Sequence, residues 1–185
     1  MGDQARIEEF TEYAAARQNH LLRTAYLLCG DWHGAQDLTQ TALLNLCKAW
    51  NRARRADSVD AYAQKTLINA FVRGRRRLRR EREVRAAALS GTERLAPGTH
   101  HDPDRPETRL ALLSALDQLP ARARAVVVLR YWEDLSVEAT AAALGCSTGN
   151  VKSQSSRALA RLRVLLGDEF SAYGPRSGAE GNALR

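Results

Sequence analysis

The sequence predicts an all-α protein: two small helical domains joined by a flexible linker, the second containing a helix-turn-helix. Three observations carry this. Alanine and arginine abound while β-branched runs are almost absent; the single strand-like run, AVVVL at 125–129, sits inside a longer helical pattern. Apolar residues recur at helical spacing through two separate blocks. Between the blocks, 84–106 holds Gly91, Pro97, Gly98, Pro103 and Pro106 among Ser, Thr and His, a linker composition. The expected bounds are 6–83 and 107–168 for the domains, 84–106 for the linker, and 169–185 for a polar, glycine-containing tail expected to be disordered.

In the first block a helix is expected over 8–29, ending at Gly30-Asp31. A second is expected over 35–54, with Ala35, Leu38, Ala42, Leu46 and Ala49 on one face. Asp57-Ser58 marks a break, and a third helix led by Asp60 is expected over 59–82. The short connections favour antiparallel packing. In the second block a helix ends at Leu119. Pro120 can open the next, which is expected to run to Trp132, with Tyr131 and Trp132 in the core.

The helix-turn-helix lies at 135–163, LSVEATAAALGCSTGNVKSQSSRALARLR. Ser136 is the expected N-cap, with Glu138 in the first turn, where negative charge suits the helix dipole. Val137, Ala141 and Leu144 share a face, Gly145 can end the helix left-handed, and Ser147 can cap the next. On the second helix Val151, Leu159, Leu162 and Leu166 form the apolar stripe, while Lys152, Ser153, Ser156 and Arg157 fall on another face. A helix that packs by one side and offers Lys, Ser and Arg on the other suits a DNA major groove. The plainer alternative is a helical hairpin with a solvated basic face.

Net charge is +7, which suits a polyanionic partner, either nucleic acid or an anionic membrane surface. Residues 73–85, RGRRRLRREREVR, hold eight Arg and two Glu, nearly the whole excess. Arg73, Arg76, Arg77 and Arg80 recur at i, i+3, i+4 and i+7, a stripe that suits duplex phosphates. Cys29, Cys47 and Cys146 form no CxxC, and with His33, His100 and His101 they show no metal-ligand spacing, so buried small-hydrophobe roles, no disulfide and no cofactor are expected. An acidic N-terminus without an apolar run, and no apolar stretch near 18 residues, point to a cytoplasmic protein without membrane insertion. Catalysis is not expected, because Asp37, Asp57 and Asp60 show no acid–base or metal constellation.

Three segments resemble the extracytoplasmic-function (ECF) sigma factors of bacterial RNA polymerase. They are AQDLTQTALLNLCKAW at 35–50, AYAQKTLINAFVRGRRRLRR at 61–80, and ALDQLPARARAVVVLRYWEDLSVEATAAALGCSTGNVKSQSSRALARLR at 115–163. The wording LLRTAYLLCGDWHGAQDLTQTAL is most similar to an actinobacterial sigma-E branch.

The resemblance implies that the first block is sigma domain 2, which docks on polymerase and reads and opens the −10 element, and the second is domain 4, which reads the −35 element. It implies core RNA polymerase as partner, through the largest-subunit clamp coiled coil and the flap region, together with promoter DNA and an anti-sigma protein. Asp37, Leu38 and Gln40 would dock on the clamp; a solvated polar edge is the plain alternative. Asn51, Arg52, Arg54, Arg55 and Asp60 would belong to the loop that captures a flipped −10 base, with Asn69 beside it. Tyr62 would serve core packing first and base stacking second. Arg73, Arg76, Arg77 and Arg80 would grip phosphates near the −10 element. Lys152, Ser153, Ser156 and Arg157 would face the −35 groove, and Arg161 its backbone. Ser155 and Ser156 depart from the family pattern, so looser packing is expected at Ser155 and the −35 preference is left open. A freestanding helix-turn-helix regulator is the alternative; it would lack a long dimerisation helix and leave 35–50 unexplained.

Overall fold

The computed structural model describes residues 3–88 and 107–167, which hold eight α-helices, one π-turn and no strand. Helix α1 (Asp3–Cys29) ends at Gly30, whose φ of +81° suits glycine and whose N–H reaches the Tyr26 carbonyl at 2.8 Å. Asp31 then caps α2 (Trp32–Lys48), accepting a bond from the Gly34 N–H at 2.6 Å. The second helix therefore starts before the expected position 35. As expected, Ala35, Leu38, Ala42 and Leu46 are its buried face.

The single helix expected over 35–54 is in fact two. The ladder breaks at Ala49, and α3 (Trp50–Ala53) carries Trp50 into the core, its ring 5.4 Å from Phe10 and 5.3 Å from Tyr13. Helix α4 (Val59–Ala88) opens on Ser58, which accepts from the Ala61 N–H, and continues past the expected end at 82 into 84–88, expected to be linker. The rest of that linker, 89–106, and the tail 169–185 lie outside the described residues.

The second block contains α5 (Glu107–Asp117), α6 (Ala121–Val127), a π-turn (Val128–Trp132), α7 (Val137–Leu144) and α8 (Thr148–Leu166). One helix running to Trp132 is not what forms. The Glu133 N–H skips back to the Val128 carbonyl at 3.1 Å, and the Leu135 N–H to Leu129 at 3.0 Å. The wider turn swings Tyr131 and Trp132 outward. They are 41% and 50% exposed rather than core, and line a cavity of about 660 Å³ with Leu27 of α1, Leu112 of α5 and Leu162 of α8.

The helix-turn-helix caps form as read. Ser136 accepts from the Ala139 N–H, Gly145 sits at φ +60°, and Ser147 accepts from the Asn150 N–H. Space around Gly145 is open, so a methyl group there meets no neighbour and only the backbone resists. Gly145→Ala is expected to cost about 1–2 kcal/mol, checked by urea unfolding.

The two blocks share one core. Leu21, Leu46 and Leu67 of the first belong to the same buried cluster as Leu113, Val128 and Leu129 of the second. Polar contacts cross the same seam: Arg75 meets Asp117 at 3.4 Å, and Arg124 donates to the Leu28 carbonyl at 2.6 Å. The three cysteines are free. Burial, with Asp31 adding to it, pushes the Cys29 thiol up to about 12, which fits an inert packing role; Cys47, expected buried, is exposed. Among the described residues no helix is long and apolar enough to cross a membrane.

Candidate nucleic-acid and polymerase interfaces

Helix α8 separates its two tasks by face. Val151, Ser155, Ala158 and Leu162 are buried. Lys152, Ser156, Arg157 and Arg161 are exposed, and Ser153 is half-buried at the boundary. The small residue at Ser155 does not leave a loose spot: its hydroxyl pairs with the Tyr131 hydroxyl at 3.0 Å, so the π-turn supplies the missing bulk. Thr148, Gly149 and Asn150 were not singled out from sequence, yet they form an exposed first turn where a recognition helix meets base edges. Their position directly after the Ser147 cap was the available signal. The Gln154 amide donates to Asn150 and steadies that turn. Across from α8, the Glu138 carboxyl is held below its ordinary range by its own backbone N–H and the Ser136 hydroxyl, with Lys152 and Arg130 adding smaller effects.

The second basic surface lies on α4. Arg73, Arg76, Arg77 and Arg80 are all exposed, as the i, i+3, i+4, i+7 pattern requires, while Arg75 turns inward to Asp117. Arg77 also bonds Glu81 at 2.7 Å, which raises its guanidinium pKa. In the loop before α4, Asn51, Arg52 and Arg55 are exposed. The other loop candidates are already engaged. Arg54 pairs with Glu9 at 3.3 Å. Asp60 accepts from the Tyr13 hydroxyl at 2.9 Å and from Arg17 at 2.5 Å, so its carboxylate ties α4 to α1 rather than standing open to a base. Burial and this bond hold the Tyr13 phenol well above its ordinary pKa. Tyr62 packs half-buried against the core, in line with its first expected role, and Asn69 is half-buried.

On α2, Asp37 and Gln40 are exposed on one side. Leu38 is not: at 9% exposure it belongs to the core, because the 3.6-residue period places it with Ala35 and Ala42. It anchors the helix that presents its neighbours. The apolar residue available on the docking side is Leu44, 62% exposed. Its spacing, i+4 from Gln40 and i+7 from Asp37, was legible in the sequence and was missed.

The family model "Sigma-70 region 2" matches residues 14–81, and "Sigma-70, region 4" matches 109–162. The chain is 42% identical over 159 residues to the RNA polymerase sigma-E factor of Streptomyces avermitilis, covering 85% of each. It is 42% identical over 159 residues to that of Streptomyces coelicolor, covering 85% of this chain and 86% of the relative. A structure of the sigma factor RpoE in complex with the anti-sigma factor NepR from Bartonella quintana superposes with a TM-score of 0.65 at 25% identity, covering 86% of this chain and 97% of that one.

Regions 2 and 4 in this order, each carrying an exposed basic helix, define a sigma-70 type transcription initiation factor. Nothing in the matches supports a freestanding regulator, which would leave region 2 without a purpose. The chain belongs to the ECF sigma factors, in their sigma-E branch.

Proposed function

We propose that this chain reads two-element promoters with the two basic helices just described and docks on core RNA polymerase through α2. The observation that carries the reading is the placement of exposed Lys and Arg on α8 and of four exposed arginines on α4, each backed by a buried apolar face. Lys152, Ser153, Ser156 and Arg157 face the −35 groove, and Arg161 its backbone. Asn51, Arg52 and Arg55 are the open part of the −10 capture loop, and the arginines of α4 hold neighbouring phosphates. Asp37, Gln40 and Leu44 meet the polymerase clamp. The protein is not an enzyme: binding energy opens the promoter and polymerase does the chemistry. We place it in the cytoplasm, where its polymerase is. An anti-sigma protein is inferred from the Bartonella complex, and the half-exposed Tyr131 and Trp132 offer such a protein apolar surface.

The test is run-off transcription with core polymerase from a high-GC bacterium and pooled genomic fragments, with and without the chain. New chain-dependent start sites that align on two elements support the reading; DNA binding without new starts overturns it. Arg76→Ala combined with Arg77→Ala is expected to weaken promoter binding across sequences and flatten the log–log salt slope by about 1–2. Arg77 brings less than a full charge, because it is already paired with Glu81.

A further inference from the structure

The two DNA-reading regions are packed together, and the geometry points to this packing as a closed state that must open before both promoter elements can be read. The inference rests on the two-element reading above. Elements centred near −10 and −35 lie about 25 base pairs apart, or about 85 Å along a duplex at 3.4 Å per base pair. A compact body of this length is about 40 Å across. With the two blocks sharing one core, the chain cannot span the promoter.

The contact that holds the blocks together has a polar centre. Glu133 leaves the π-turn with its side chain 3% exposed. Its carboxylate accepts bonds from the Thr24 hydroxyl and the Gln64 amide and lies 2.9 Å from His20 Nε2. All three partners belong to the first block, two on α1 and one on α4. A buried carboxylate that gives up such donors must be rehydrated or repaired, so the cluster favours closure strongly while formed. It also releases cleanly, because opening returns Glu133 to water. The Arg124 contact divides in the same way. Opening removes its bond to Leu28, while its bonds to the Asp117 carbonyl at 2.6 Å and carboxylate at 2.8 Å lie within the second block and remain. The apolar surface uncovered on opening needs new cover, which docking on polymerase provides.

The test is a spin-label distance measurement on the full chain, with labels at Glu12→Cys and Val164→Cys, both exposed positions, and the native cysteines replaced by alanine. The free chain is expected to give one short, narrow distance. Core polymerase with a promoter fragment should lengthen it by tens of ångströms. Glu133→Ala should populate long distances in the free chain and tighten core binding about tenfold, since less of the population must be opened. If Glu133→Ala loses its helical circular dichroism, His20→Ala combined with Gln64→Ala tests the same cluster from the other side. A free chain as broad as its variants overturns the inference, as does a short distance that persists in the promoter complex. Failure of the two-element reading would show separately, as absent run-off starts with the free-chain distance still short.

Discussion

Arg124→Ala is expected to destabilise the folded chain by about 3–5 kcal/mol, enough to lower a urea midpoint visibly at unchanged slope. Arg124 is wholly buried, and burial holds its guanidinium pKa below the ordinary value despite Asp117 beside it. Its NH1 bonds the Leu28 carbonyl, and its NH2 bonds both the carbonyl and the carboxylate of Asp117. Truncation strands these acceptors in the interior and removes the stem that lies against the Phe71 ring. Arg124→Lys should recover part of the loss, because an ammonium supplies a charge without the planar fork that serves two directions. Equal stability of the alanine variant and the parent would show that water replaces the guanidinium, and the buried network would lose its assigned role.

The second large effect is expected at Arg157, on the open face of α8. Arg157→Ala should weaken transcription from −35-dependent promoters by about 1–3 kcal/mol, roughly 5- to 150-fold. The loss should largely vanish on templates whose −35 element is scrambled, which separates base reading from simple phosphate attraction. Arg157→Lys discriminates further: if the contact is a two-pronged bond to a guanine edge, lysine restores little, whereas a phosphate contact would be largely restored. Unchanged promoter strength in the alanine variant would remove Arg157 from the interface.

What the sequence made legible was local. Ser136, Gly145 and Ser147 bracket their helices through bonds to residues three or four positions away, so chain spacing alone locates them. The arginine stripe on α4 and the buried stripe on α2 follow from a period of 3.6 in the same way. Leu38 was misassigned to docking because its motif neighbours, not its own register, guided the reading. The shared core and its polar centre were out of reach for a different reason. Glu133 sits in a charged EDL stretch that reads as a surface turn, and its partners are 69 to 113 positions away. Arg124 looks like any other arginine in ARARAV until the fold closes over it. The π-turn was hidden because VLRYW offers the same apolar content to either kind of helix.

That turn makes chain length, rather than residue identity, the controlling variable at 128–132. A π-turn is an α-helix holding one residue too many. Deleting a single residue there would let the ladder wind back into ordinary register and rotate everything after it by about 100°. Glu133 would swing away from His20, Thr24 and Gln64, and Tyr131 would leave Ser155, although no contact-making side chain had been altered. Relatives that differ by one residue at this point are therefore expected to differ in how their halves fit together, even where every motif agrees.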